Sequence, residues 1–152
     1  EKIEPEWFAG EDVQKRDRDA NSKIRILLAE DTPFFRQLVR KYLESDNYHV
    51  TTAANGREAL EILGRQKFDI LLSDLEMPFV NGWRLVEAVR ANPETRELPA
   101  IALTSLDSDH DRRTAFQSGF SDYIVKIERE KFLSQIAKFF ARYNPEKKAA
   151  SQ

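Results

Sequence analysis

A chain of 152 residues suits one domain with short appendages, and a domain of that size buries about two-thirds of its unfolded surface. With 24 Lys and Arg dispersed among 26 Asp and Glu, the formal charge of -2 and a pI near 5.8 argue against nucleic-acid binding through a basic face. The absence of cysteine excludes disulfides, thiolate catalysis and cysteine-bound zinc, and His49 and His110 are too few for a histidine-rich metal site, so the chemistry rests on oxygen ligands, hydroxyls and lysine.

No apolar run is long enough to span a bilayer and the start shows no signal-peptide pattern, so no membrane partner and a cytoplasmic location are expected. A first residue that is Glu1 and not Met leads us to expect a segment cut from something longer. Residues 1–22 are dominated by charge, as in Lys15-Arg16-Asp17-Arg18-Asp19, and read as a linker or an added extension, with Trp7 and Phe8 as one apolar spot.

From Lys23 onward short apolar runs alternate with longer amphipathic ones. A first strand covers Ile24 to Ala29. Thr32 then offers an N-cap oxygen and Pro33 the pre-set φ of a first helical turn, after which Phe35, Leu38, Val39, Tyr42 and Leu43 share one helical face. Tyr48 to Ala53 has the β-branched and aromatic content of a second strand. Asn55-Gly56 opens a helix carrying Ala59, Leu60 and Leu63, with Gly64 as its stop. A third strand runs from Ile70 to Ser73, followed by the loop Met77-Pro78-Phe79-Val80-Asn81-Gly82 and a helix with Leu85, Val86 and Val89. Pro99 to Leu103 is the fourth strand. Asp107 to Ser118 is helical in composition with a thin apolar stripe, chiefly Ala115 and Phe116, and is therefore the least firmly packed helix. Tyr123 to Val125 is a short fifth strand, and Glu128 to Tyr143 a last helix with Phe132, Leu133, Ile136 and Phe140 inward; the Phe139-Phe140 pair reads as core before partner surface, with an interface as the alternative for Phe139, which lies off that stripe. The tail after Asn144-Pro145 reads as frayed, so one domain spans 23–144. Five strands alternating with five helices imply a parallel sheet covered on both faces by right-handed crossovers.

Polar residues stand at four of the five strand tips: Glu30-Asp31 after the first, Asp74 after the third, Thr104-Ser105 after the fourth and Lys126 after the fifth. Capping or loop propensity explains any one of them and explains the set poorly. In an open parallel α/β sheet ligands gather at the carboxyl ends of the strands, so Glu30, Asp31 and Asp74 suggest a hard-cation site. A one-residue shift in the fourth strand would exchange Thr104 for Ser105.

With these residues in place, the chain resembles a response-regulator receiver domain of the CheY-like kind. The resemblance rests on Glu30-Asp31, on Asp74 with Met77-Pro78 and Gly82 behind it, on Thr104, and on Tyr123 three residues before Lys126; the separations Asp31 to Asp74, Asp74 to Thr104 and Thr104 to Lys126 are 43, 30 and 22 residues. It implies a three-layer αβα, flavodoxin-like (βα)5 fold with strand order 2-1-3-4-5. It also implies self-catalysed transfer of a phosphoryl group to Asp74 from the phosphohistidine of a histidine kinase or histidine phosphotransfer domain. Mg²⁺ would be held by Asp31, Asp74 and the backbone carbonyl of Glu76, with Glu30 acting through water. Lys126 would pair with Asp74 or a phosphoryl oxygen, and Thr104 would donate to another. That contact would turn Tyr123 from exposed to buried and so act as a switch. The chain departs from the family at Ile127, where a proline preceded by a cis bond is usual; a trans bond is expected here. The run Asp122 to Glu130 resembles receivers at the C-terminus of chemotaxis-type hybrid histidine kinases, which would make residues 1–22 an interdomain linker. Two other readings stand beside this one: a docking or dimerisation module that works without phosphorylation, and a nucleotide-binding or phosphatase enzyme. The latter is weak, because Ala29-Glu30-Asp31-Thr32-Pro33 puts acids where a phosphate loop needs backbone amides.

Overall fold

Strand residues that alternate between two faces need two layers of helix to cover them, and the computed structural model, which describes residues 23–104, 108–125 and 129–143, supplies both layers. The elements run β1 (Arg25–Ala29), α1 (Pro33–Ser45), β2 (His49–Ala53), α2 (Gly56–Leu63), β3 (Ile70–Asp74), α3 (Gly82–Ala91), β4 (Ala100–Thr104), α4 (Asp109–Ser118), β5 (Asp122–Val125) and α5 (Arg129–Tyr143). All strand pairs are parallel and the sheet order is β2-β1-β3-β4-β5, the flavodoxin-like order expected from the resemblance.

Ile26, Leu28, Ile70, Leu72, Ile101, Leu103 and Ile124 point to one face, where α1 contributes Val39 and Leu43 and α5 contributes Phe132, Leu133, Ile136, Phe139 and Phe140. Their neighbours Leu27, Ala29, Leu71, Ala100, Ala102 and Tyr123 point to the other, against Ala59 and Ile62 of α2, Leu85, Val86 and Val89 of α3, and Ala115 of α4. The central strands β3 and β4 are buried along their whole length, which is why they read as unbroken apolar runs.

Phe139 is 1% exposed and belongs to the core, the first of its two readings, because α5 turns a broad aromatic face to the sheet. Two local expectations are corrected by the packing. Phe116 is 47% exposed, leaving Ala115 as the one buried residue of α4. Thr32 occupies the N-cap of α1 with Pro33 behind it, yet its side chain makes no capping bond; its backbone amide donates to Glu30 Oε2 at 3.2 Å. Asn55, read as opening a helix, caps it, its Oδ1 accepting from Glu58 N at 2.8 Å, and Asn81 at the end of the β3–α3 loop does the same for α3, its Oδ1 accepting from Arg84 N at 2.9 Å. His49 and His110 are both exposed.

Candidate functional site

β1 and β3 are neighbours in register, Ala29 opposite Ser73, so the residues that leave both strands at their carboxyl ends come out side by side. This brings Glu30, Asp31 and Asp74 together: each offers a carboxylate oxygen within 4.8 Å of the others. Glu30 and Asp74 are buried and Asp31 is half-buried, so the cluster opens towards solvent on the Asp31 side. Like charges this close in a partly dehydrated site repel, and a divalent cation of hard character, bound through oxygen, removes the repulsion. The donor set fits Mg²⁺: three carboxylates at one rim, with room for water on the exposed side.

The main chain around the cluster is closely braced. Asp74 Oδ1 accepts from Leu75 N at 2.8 Å, and the Asp74 carbonyl accepts from Ser73 Oγ at 2.8 Å. Gly82 packs directly against this segment: its amide donates to the Leu75 carbonyl at 2.8 Å, and a Cβ there would fall 2.2 Å from the Asp74 carbonyl oxygen. The glycine of the Met77–Gly82 loop therefore lets α3 start against the tip of β3. On the other side Arg36 Nη1 donates to the Glu30 carbonyl at 2.8 Å and the Asp31 carbonyl at 3.4 Å, tying the β1–α1 turn to the first turn of α1. Sequence reading passed over Arg36, although an arginine five residues beyond Asp31 in a first helical turn is placed to reach back to those carbonyls.

Thr104 ends β4 and is buried, one position beyond Leu103, the register partner of Asp74. It pairs with Val125, the last residue of β5. Ser105, the alternative to Thr104, lies outside the described residues, as do Lys126 and Ile127 with its peptide bond, residues 1–22 with Trp7 and Phe8, and the tail beyond Tyr143. Glu76 is exposed two residues past Asp74. Tyr123 is already turned inward, 3% exposed, with the Arg112 guanidinium 4.8 Å from its ring centre. No helix among the described residues is long and apolar enough to cross a membrane.

The response regulator receiver domain model matches residues 26–138. The chain belongs to the response regulator receiver domain family. This receiver is 42% identical over 105 residues to a 14.6 kDa protein from the sodA1 3' region of Leptolyngbya boryana, covering 69% of this chain and 80% of that one. It is 36% identical over 108 residues to the transcriptional regulatory protein ResD of Bacillus subtilis, covering 71% of this chain and 44% of that protein's length. Among solved structures it resembles the receiver domain of a sensor histidine kinase from Pseudomonas aeruginosa, with a TM-score of 0.70 and 31% identity, covering 79% of this chain and 96% of that one; that domain has a magnesium ion coordinated in its active-site cleft. As a member of this family the chain is a receiver domain of two-component signalling, and receiver domains bind Mg²⁺ and interact with histidine kinases or phosphotransfer partners.

Proposed function

We propose that this receiver accepts a phosphoryl group on Asp74. The observation that carries the reading is the convergence of Glu30, Asp31 and Asp74 within 4.8 Å at one rim, with the Asp74 carboxylate held by Leu75 N, its carbonyl by Ser73 Oγ, and the next carbonyl, of Leu75, by Gly82 N. A carboxylate oxygen of Asp74 attacks phosphorus, the P–N bond to the donor imidazole breaks, its electron pair leaves on the imidazole nitrogen, and an acyl phosphate forms. Bound Mg²⁺ would supply the charge neutralisation that lets an anion attack an anion. Asp31 and Asp74 would hold it directly, Glu30 through water, and the Glu76 backbone carbonyl would complete the protein's share. Thr104 would donate its hydroxyl to a phosphoryl oxygen, and Lys126 would act as a point charge towards the same group. The inward Tyr123 would then report the position of the β4 end to the face formed by α4, β5 and α5.

The donor is the phosphohistidine of a histidine kinase or phosphotransfer domain. The charged run at 1–22 and the stretch Asp122 to Glu130 favour a place within a longer chemotaxis-type kinase polypeptide. The experiment is phosphotransfer from purified kinase domains to wild type and Asp74→Ala, with and without Mg²⁺, together with beryllofluoride trapping. Mg²⁺-dependent labelling and trapping of wild type alone are the expected results. A chain that neither traps beryllofluoride nor takes label is a docking module that works without phosphorylation.

A further inference from the structure

At the end of the sheet opposite the acidic rim, the loops 64–69 and 92–99 leave a half-enclosed cleft of about 410 Å³ beside the feet of β3 and β4. Pockets that hold small ligands or single large side chains run from about 300 to 1,000 Å³. Leu63, Phe68 and Leu98 line it; they pack on the core beneath α2 and α3 and yet stay partly exposed, so the cleft has an apolar floor open to solvent.

Both walls are held from behind. On one, the Arg25 guanidinium donates to the Lys67 carbonyl at 3.2 Å and to Gln66 Oε1 at 2.9 Å and lies 5.7 Å from the Phe68 ring centre, while Asp69 Oδ2 accepts from Arg25 N at 2.8 Å. On the other, Arg90 donates to the carbonyls of Arg96 at 2.8 Å and Leu98 at 2.6 Å, and Thr95 Oγ1 donates to the Val89 carbonyl at 2.8 Å. The walls are bridged by Lys67 and Glu94, 3.9 Å apart. These side chains are 87% and 78% exposed, so the pair contributes little and gives way easily to an occupant.

β1 begins at Arg25, which braces the first wall, so the chain that precedes Lys23 joins the domain beside the cleft. That stretch carries one aromatic pair, Trp7-Phe8, and fourteen residues separate Phe8 from Lys23. They reach about 50 Å when extended, whereas the cleft lies about 10 Å from β1, one to two strand spacings away. Around the pair, residues 1–12 hold Glu1, Glu4, Glu6, Glu11 and Asp12 against Lys2. Arg65 and Lys67 stand exposed on one lip of the cleft, and Glu94 and Glu97 on the other. We propose that Trp7 and Phe8 dock in this cleft of their own chain, their acidic flanks along the Arg65 and Lys67 lip and turned away from Glu94 and Glu97. Tethering supplies an effective concentration of about millimolar, so a contact too weak to hold a free peptide is still populated. An indole and a phenyl ring bring the apolar area that the floor leaves uncovered. Docked there, residues 1–22 approach the domain from the end remote from Asp74 and leave the acidic rim open.

The test is fluorine NMR of the full chain carrying fluorotryptophan, whose two signals belong to Trp7 and Trp83 and are assigned with Trp7→Phe. In wild type the Trp7 signal should stand apart from its position in a synthetic peptide of residues 1–22 and be shielded from a dissolved paramagnetic agent. Arg65→Glu combined with Lys67→Glu should carry it most of the way to the peptide position, as should raised salt in part, while an unmoved Trp83 signal reports an intact fold. Trp7→Ala combined with Phe8→Ala, which touches no residue of the core, should speed amide exchange in the loops 64–69 and 92–99 at least about fivefold and leave β2 unchanged. A wild-type Trp7 signal at the peptide position, a displaced signal that the reversed lip leaves in place, or loop exchange indifferent to the loss of both rings would each overturn the docking. Displacement that fades on dilution would overturn it as well, because the pair would then sit on a second copy.

Discussion

A methyl group added at Gly82 would lie 2.2 Å from the Asp74 carbonyl oxygen and 2.8 Å from Leu75 Cα. Both atoms are backbone, so no side-chain rotation relieves the contact, and α3 has to move away from the tip of β3. Overpacking of this kind costs about 1–3 kcal/mol, and a backbone obstacle on the central strand places Gly82→Ala at the upper end, about 3 kcal/mol. For a domain of this size that lowers Tm by about 10 °C. The natural control is Gly64→Ala: the nearest atoms to a Cβ there are helix carbonyls at 3.4 and 3.7 Å and φ is -74°, so it should be neutral or stabilise by up to about 1 kcal/mol. Displacing β3 also shifts Asp74 relative to Glu30 and Asp31, and Mg²⁺ tolerates departures from octahedral geometry poorly, so Gly82→Ala should bind it about tenfold more weakly. Thermal unfolding followed by circular dichroism and calorimetric Mg²⁺ titration measure the two effects. A Gly82→Ala protein that melts within about 2 °C of wild type, or a Gly64→Ala protein that falls as far, would refute the steric reasoning.

Phe139→Ala should cost about 3–5 kcal/mol in urea unfolding, because the ring is buried between α5 and the sheet, whereas Phe116→Ala should stay within about 0.5 kcal/mol; similar values for the two would contradict the assigned packing. Arg90 donates to the carbonyls of Gly119 at 2.9 Å, Arg96 at 2.8 Å and Leu98 at 2.6 Å, joining α3 to the turns on either side of β4 and α4. Arg90→Ala should therefore destabilise by about 2 kcal/mol and Arg90→Lys should recover only part of it, since an ammonium cannot span three acceptors in that fork; full recovery by lysine would show that charge alone mattered. Partial desolvation of the largely exposed His49 imidazole, with Arg25 and Lys23 nearby, holds it below its ordinary pKa, so the folded chain takes up this proton less readily than the unfolded one. Its contribution is present above the unfolded value of about 6.5 and lost as the pH falls through the folded one, and the ring's exposure limits it to about a few tenths of a kcal/mol. Urea midpoints of His49→Gln against wild type at pH 7.5 and 5.5 should show the variant losing less on acidification; the opposite sign would reject this linkage.

How much of the site could be read in advance follows from which interactions are local. The strand-end position of Asp74, the acidic pair after β1 and the start of α3 at Asn81-Gly82 are properties of short stretches, and each leaves a mark in residue type and spacing. The packing of α4 was legible only in part: its thin stripe pointed to Ala115 correctly, but whether Phe116 also turns inward depends on how the helix rolls on the sheet. Phe139 stood between core and interface for the same reason, because the width of the buried face of α5 is set by the sheet beneath it and not by the period of the helix.

Alternation of apolar strands with amphipathic helices, and acids at the strand tips, were enough by themselves to define a parallel α/β domain and its acidic rim, because period and turn chemistry are local. Only the folded arrangement decided that Glu30, Asp31 and Asp74 come within 4.8 Å, since that depends on β1 and β3 being neighbours in register. The same holds for Gly82 against the Asp74 carbonyl and for the cleft at the opposite end of the sheet. Contacts between residues distant along the chain are set by strand order and helix placement, which cooperative packing of the whole core selects.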